Sequence, residues 1–163
     1  MASFRRSVFA AVTALVVVIA ALAFLGTQLR EPHLIVSDQK SGATYFDAPV
    51  AEVSSMELAW IHSIEKTPWR ERYEIGRDGL QLTDVYLKSY GAGAPTDIGG
   101  TTTVENGEVH IADLHHQYKE VTWVHSQATH HTLTVSYTDA RAPFVLTDDL
   151  PERVFLKATV ERR

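Results

Sequence analysis

Apolar and polar residues alternate with a period of two in many short stretches after residue 30. The alternation is clearest at residues 56–62, where Met56, Leu58, Trp60 and His62 share one face. No stretch after the N-terminal segment sustains the 3.6-residue period of an amphipathic helix. Short strands separated by turn residues predict an all-β domain, either an antiparallel β-sandwich or an open barrel. Further strands are predicted at residues 34–36, 44–46, 101–104, 108–111, 121–125, 132–138 and 154–160.

Two Gly-containing pairs predict β-hairpins. Asp78-Gly79 separates the strand patterns at residues 69–77 and 80–88, and Asn106-Gly107 separates two shorter ones. Such pairs favour a two-residue type I′ turn, because both turn positions need positive φ. The sequence therefore predicts two tight hairpins in the middle of the chain.

The predicted register of the first hairpin has a chemical consequence. With Asp78-Gly79 at the tip, Tyr73 lies opposite Asp84 and Glu71 opposite Tyr86. Glu71 and Asp84 then become diagonal neighbours on the more apolar face, which should point inward and also carries Tyr73, Leu80, Leu82 and Tyr86. Two such carboxylates could act as acid and base or bind a cation. The alternative is that they accept hydrogen bonds from Tyr73, Tyr86 or an arginine.

Residues 8–25 form an uninterrupted apolar segment in which Thr13 is the one polar residue. Eighteen residues of helix nearly span a bilayer core, and Arg5 and Arg6 just before them favour an N-terminus on the inside. We therefore expect residues 1–27 to anchor residues 28–163 outside the cytoplasmic membrane as a single-pass protein. A cleaved signal peptide with Ala21-Leu22-Ala23 as its loose cleavage site is the alternative.

Charge and cysteine content exclude several functions. The net charge is −5, and the first 27 residues carry only Arg5 and Arg6, which leaves −7 for the rest. An acidic domain without a basic stripe repels phosphate backbones, so nucleic-acid binding is not expected. The chain has no cysteine, which excludes disulfides, thiolate metal sites and a cysteine nucleophile.

Histidines supply the second set of candidate residues. His62 and His125 occupy the same place in two similar segments, Trp60-Ile61-His62-Ser63 and Trp123-Val124-His125-Ser126. If these strands are quasi-equivalent, the two imidazoles could meet and bind a divalent metal together with Glu71 or Glu65. A neutral histidine hydrogen-bonded near the core is the alternative for each.

The remaining histidines and serines are weaker candidates. His131 shares parity with Leu133 and Val135, so it could face inward. Ser63 and Ser126 each follow a histidine directly, and adjacent residues of a strand diverge. The pattern therefore does not favour a serine nucleophile.

The segment Trp60-Ile61-His62-Ser63-Ile64-Glu65-Lys66-Thr67-Pro68-Trp69, followed by Glu71 and Ser89-Tyr90-Gly91-Ala92-Gly93, resembles the signature of the DUF1850 family. The segment around Trp123 and His131 is similar to the family's second motif. The resemblance marks His62, Ser63, Glu65, Trp69, Glu71, Gly91 and Gly93 as candidate functional residues. The family has no established function, and its genes often lie beside TRAP transporters of the TAXI type.

The resemblance implies an accessory or interaction role in solute uptake, with the transporter or its solute-binding protein as partner. We expect no catalytic role and no cofactor for this function. The alternative is a metal-binding module or metal-dependent hydrolase that uses His62, His125 and Glu71. A third hypothesis is a structural protein without a ligand, which predicts no concave pocket near the motifs.

Overall fold

A computed structural model describes residues 13–22, 26, 30–88, 97–147 and 149–163. The chain divides into two compact units, Met1–Glu31 with Arg162–Arg163, and Pro32–Glu161. In the first unit, residues 13–22 form a helix. The expected membrane segment covers residues 8–25, of which 8–12 and 23–25 lie outside the described residues. No helix within the described part of the chain is both long and apolar enough to cross a bilayer.

The rest of the described chain is built from β-strands and two short 3₁₀ turns, Val50–Glu52 and Gln127–Thr129. This confirms the all-β prediction. The strands are β1 Pro32–Asp38, β2 Thr44–Pro49, β3 Val53–Ile61, β4 Pro68–Gly76, β5 Gly79–Leu87, β6 Thr101–Glu105, β7 Glu108–Ala112, β8 His116–Tyr118, β9 Glu120–His125, β10 Thr132–Tyr137, β11 Phe144–Leu146 and β12 Val154–Arg162.

The strands form two antiparallel sheets. The smaller sheet has the order β2-β1-β12-β9, and the larger has the order β11-β10-β3-β4-β5-β7-β6, with β8 added against β5. Buried side chains of both sheets belong to one hydrophobic core, which includes Leu34 and Leu156 from the smaller sheet and Met56 and Leu133 from the larger. Alternation along each strand directs these apolar residues inward, as the period of two predicts.

The structure confirms both predicted hairpins but corrects the first register. At Asn106-Gly107 both turn residues have positive φ, 52° and 74°, as a type I′ turn requires. In the β4–β5 hairpin, Gly76 pairs with Gly79, so Arg77 and Asp78 form the tip instead of Asp78 and Gly79.

A β-bulge in β5 changes the hairpin further. Tyr73 pairs with Leu82 and Arg72 with Asp84, which leaves Thr83 as an extra residue. The Thr83 hydroxyl donates a hydrogen bond to the Arg72 carbonyl, 3.2 Å away. The extra residue reverses the alternation, so that Val85 and Leu87 are buried in place of the predicted Asp84 and Tyr86.

Candidate functional site

A row of stacked rings connects the family-like segment to the end of β9. Trp60 of β3 and Trp69 of β4 are direct cross-strand partners, with ring centroids 5.6 Å apart. His62 stacks on Trp69 at 5.9 Å. On the other side of Trp60, His131 stacks nearly parallel at 5.7 Å, and its ring lies 5.9 Å from that of His125.

Strand pairing explains this row. β10 pairs with β3 and aligns Thr132 with Ala59, so the preceding His131 lies beside Trp60. His130 adopts a left-handed conformation, φ 50°, after the 3₁₀ turn and leads the chain into β10. His131 is half-buried, contacts Trp60 and the buried His125, and so lies on the inner side, as its parity with Leu133 and Val135 allowed.

Glu71 lies beside the row and is held by two aromatic donors. Its carboxylate accepts hydrogen bonds from the Trp69 indole N–H at 3.2 Å and from the Tyr73 hydroxyl at 2.6 Å. The prediction that a tyrosine satisfies this carboxylate is therefore confirmed. Burial raises the pKa of Glu71 above its ordinary value, and the two hydrogen bonds oppose that shift only in part. Burial and the Glu71 charge also raise the pKa of Tyr73.

Glu71→Gln is expected to change how stability depends on pH. Because burial raises the folded-state pKa, the unfolded chain loses this proton at a lower pH than the folded protein. Wild-type stability should therefore fall, relative to the variant, as pH rises from 4.5, the ordinary pKa of the group, through the folded pKa. Urea unfolding of both proteins at pH 4 to 9 measures this difference, and a constant difference would contradict the predicted linkage.

His125 is a core histidine whose ring nitrogens both have partners. It is 1% exposed. Its Nδ1 accepts a hydrogen bond from the Trp123 indole N–H at 3.3 Å, and its Nε2 lies 2.9 Å from the Thr147 carbonyl. An accepting Nδ1 places the proton of the neutral ring on Nε2, which donates to Thr147. This arrangement matches the core alternative from the sequence analysis.

The similar segments around His62 and His125 lie in different sheets, and their histidines do not meet. His62 stacks on Trp69, and its Nδ1 accepts a hydrogen bond from the Glu65 backbone N–H at 3.2 Å. His125 contacts His131 at the other end of the row. In the described ranges, no group of three or more His, Cys, Asp or Glu residues could hold a metal ion. His62, His125 and Glu71 therefore do not form the predicted metal-ligand set.

Asp84 lies on the opposite face of the sheet from Glu71, so the predicted carboxylate pair is wrong. The bulge at Thr83 turns Asp84 outward, where it lies 2.7 Å from His110 Nε2. Burial raises the pKa of Asp84, but hydrogen bonds from His110 and Thr83 with the charges of His110 and Arg72 lower it on balance.

The remaining candidates are Ser63, Glu65, Gly91 and Gly93. Ser63 and Glu65 lie in the connection between β3 and β4, where Ser63 is exposed and Glu65 is half-buried. Gly91 and Gly93, which the family resemblance marked as candidates, lie outside the described residues.

An open pocket of about 420 Å³ lies between β9 and the strands β3, β4, β5 and β8. Trp60, Glu71 and His131 from the ring row form one part of its wall. The remaining wall is largely aromatic and aliphatic. It consists of Leu58, Tyr73, Leu82, Tyr118, Glu120, Val121, Thr122 and Trp123. Trp60 and Trp123 were recognisable in the sequence as the repeated Trp-x-His pattern, but Tyr118 has no such signal.

A family model matches residues 56–141, which is more than half of the chain. Its description is "Domain of unknown function (DUF1850)". The chain belongs to the DUF1850 family. Comparisons with curated proteins and with solved structures give no match.

The DUF1850 segment contains the whole described pocket wall, from Leu58 to His131. It includes β9 but not β1, β2 or β12, the other strands of the smaller sheet. The pocket is therefore built within the family segment, and the flanking strands complete the sheet that carries β9.

Proposed function

We propose that this DUF1850 protein is a membrane-anchored extracytoplasmic binding domain that acts as an accessory to TRAP-type solute uptake. Residues 1–27 anchor it, and residues 28–163 contact the transporter or its solute-binding protein. The role is binding without catalysis.

The observation that carries this proposal is the pocket within the family segment. A structural protein without a ligand predicts no concave pocket near the motifs, whereas Trp60, Glu71 and His131 line one. A cavity of this size with mostly apolar walls and a few polar groups is typical of small-molecule sites. The pocket therefore favours a binding role over a purely structural one.

Internal hydrogen bonds support the absence of a catalytic role. Both ring nitrogens of His125 are used, by the Trp123 indole N–H and the Thr147 carbonyl. A general base must be able to reach a proton of the substrate or nucleophile. His125 is fully buried and engaged at both nitrogens, so it holds β9 in place.

Sequence and charge support the proposed location. Residues 8–25 are uncharged and follow Arg5 and Arg6, which favours retention of the N-terminus inside. The acidic remainder, with a charge of −7, is repelled by anionic lipid. Both features suit a domain held outside the membrane by one segment.

Uptake of a radiolabelled carboxylate by a TAXI-type TRAP transporter from the same cell tests the proposed function. The transporter and its binding protein are produced in a host that lacks them, with or without this chain. We expect the full chain to increase uptake. Residues 28–163 alone, retained in the cytoplasm, should have no effect.

A third form of the protein tests whether the anchor is needed in addition to export. It carries a cleavable signal peptide in place of residues 1–27, so that the domain is exported but not anchored. Partial activity would show that export is sufficient and that the anchor raises the local concentration of the domain. Uptake that is unchanged by all three forms would refute the accessory role.

A further inference from the structure

We propose that the pocket binds a small organic ammonium ion, with Glu71 as its counter-charge and the aromatic side chains of the wall as its apolar surroundings. The inference rests on the proposed binding function and specifies its ligand. It is carried by the charge of the wall, by the chemistry of the aromatic residues and by the surroundings of Glu71.

The charged residues of the described pocket wall have one sign. They are Glu71 and Glu120, and no lysine or arginine belongs to that wall. Burial lowers the pKa of His131, with a further contribution from nearby His125, so the imidazole stays neutral at pH 7. An anionic ligand would meet two carboxylates without a balancing charge, whereas a cation would be attracted by both.

Glu71 lacks a positive partner among the described residues. The ion pairs found there involve other acids, and its own hydrogen bonds come from the neutral Trp69 and Tyr73 side chains. A carboxylate withdrawn from water is stabilised when it is paired with a cation. Each oxygen keeps a further lone pair after accepting one hydrogen bond, so a ligand N–H can also be accepted.

Aromatic residues form much of the remaining wall. Trp60, Trp123, Tyr73 and Tyr118 contribute to a single cavity. The faces of Trp60 are stacked against Trp69 and His131, so the rings left to attract an ammonium group are those of Trp123, Tyr73 and Tyr118. The Tyr73 ring lies edge-on to that of Tyr118 at 6.3 Å, which joins β4 to β8 at this wall. The volume of about 420 Å³ suits a compact amine or quaternary ammonium compound more than a long chain.

Choline and its neutral isostere 3,3-dimethylbutanol test the charge requirement directly. Both are titrated into the full chain in a non-ionic detergent, and binding is measured by calorimetry and tryptophan fluorescence. Putrescine serves as a second probe that carries N–H donors. We expect saturable binding of at least one ammonium probe and about ten- to hundredfold weaker binding of the neutral isostere.

Variants separate the role of Glu71 from a general effect of negative charge. Glu71→Gln should weaken ammonium binding about tenfold or more, whereas Glu120→Gln, at an exposed position on the rim, should change it less than about threefold. Binding to the wild type should also tighten as pH rises through the folded pKa of Glu71, since ionisation supplies the counter-charge. Circular dichroism and thermal unfolding confirm that each variant is folded.

Three outcomes would overturn the ammonium assignment. They are equal binding of the neutral isostere, unchanged binding by Glu71→Gln, and no saturable binding of either ammonium probe to folded protein. If one of them occurs while the full chain still increases solute uptake, only the ligand assignment fails. If ammonium binds and uptake is unaffected, the accessory role fails and the pocket assignment stands.

Discussion

Replacing His125 by alanine is expected to lower the free energy of unfolding by about 3–5 kcal/mol. The side chain is 1% exposed, so its loss leaves a cavity in the core. It also leaves the Trp123 indole N–H and the Thr147 carbonyl without these hydrogen bonds, and each unsatisfied buried group costs about 1–3 kcal/mol. Urea unfolding of the full chain, followed by tryptophan fluorescence, measures the change.

His116→Ala is the matched control for this prediction. His116 is exposed in β8, so its replacement should change stability by less than about 0.5 kcal/mol. His125→Phe adds a second comparison because it fills the volume but cannot replace the hydrogen bonds. A loss of less than about 1 kcal/mol in His125→Ala would mean that water or a neighbouring side chain replaces the lost contacts.

The hairpin of β4 and β5 shows what the sequence could predict and where it failed. The pair Asp78-Gly79 located the hairpin, and alternation correctly placed Tyr73, Leu80 and Leu82 inward. The tip shifted by one residue because Gly79 is the first residue of β5 and pairs with Gly76. Turn composition identifies a hairpin more reliably than it identifies which two residues form the tip.

The bulge at Thr83 did have a signal in the sequence. Leu80 and Leu82 are two positions apart, and so are Val85 and Leu87, but Leu82 and Val85 are three positions apart. All four can face the core only if one extra residue is inserted between the pairs. The free energy gained by burying Val85 and Leu87 outweighs the cost of interrupting the regular strand pairing, and Asp84 therefore lies on the outer face.

The partner strands explain why the extra residue lies at this position. β5 pairs with β8 through Leu80–Leu82 and with β7 through Val85–Leu87, so its neighbour changes at Thr83. There the Leu114 backbone N–H donates a hydrogen bond to the Thr83 carbonyl at 3.0 Å. The change of partner strand from β8 to β7 depends on residues about thirty positions away, so the local sequence around Thr83 does not predict it.

The candidate site was predictable in its parts but not as a whole. Alternation predicted that Trp60 and His62 share a face, and parity allowed His131 to face inward. The contact between Trp60 and His131 depends on the pairing of β3 with β10, which are far apart in sequence. The predicted metal set failed for the same reason, because similar Trp-x-His segments do not specify which sheet each strand joins.

Trp69→Ala is expected to lower the free energy of unfolding by about 3–5 kcal/mol. Trp69 is 8% exposed and packs between Trp60 and His62, so alanine removes a large buried ring from within the row. It also removes the indole N–H that donates to Glu71. Urea unfolding measures the loss, and Tyr86→Ala on the opposite, half-exposed face should cost clearly less.

Trp69→Phe separates the packing of the Trp69 ring from its hydrogen bond to Glu71, because phenylalanine keeps most of the apolar ring and removes the N–H donor. A hydrogen bond to a charged group contributes about 1.5–3 kcal/mol, so this variant should lose less stability than Trp69→Ala. The indole N–H lowers the pKa of Glu71, and its removal should raise that pKa further. The stability lost in Trp69→Phe should therefore increase between pH 4 and pH 8, because the hydrogen bond contributes more as the carboxylate ionises. An equal loss at both pH values would mean that Trp69 acts through packing alone and that Tyr73 is sufficient to hold the carboxylate.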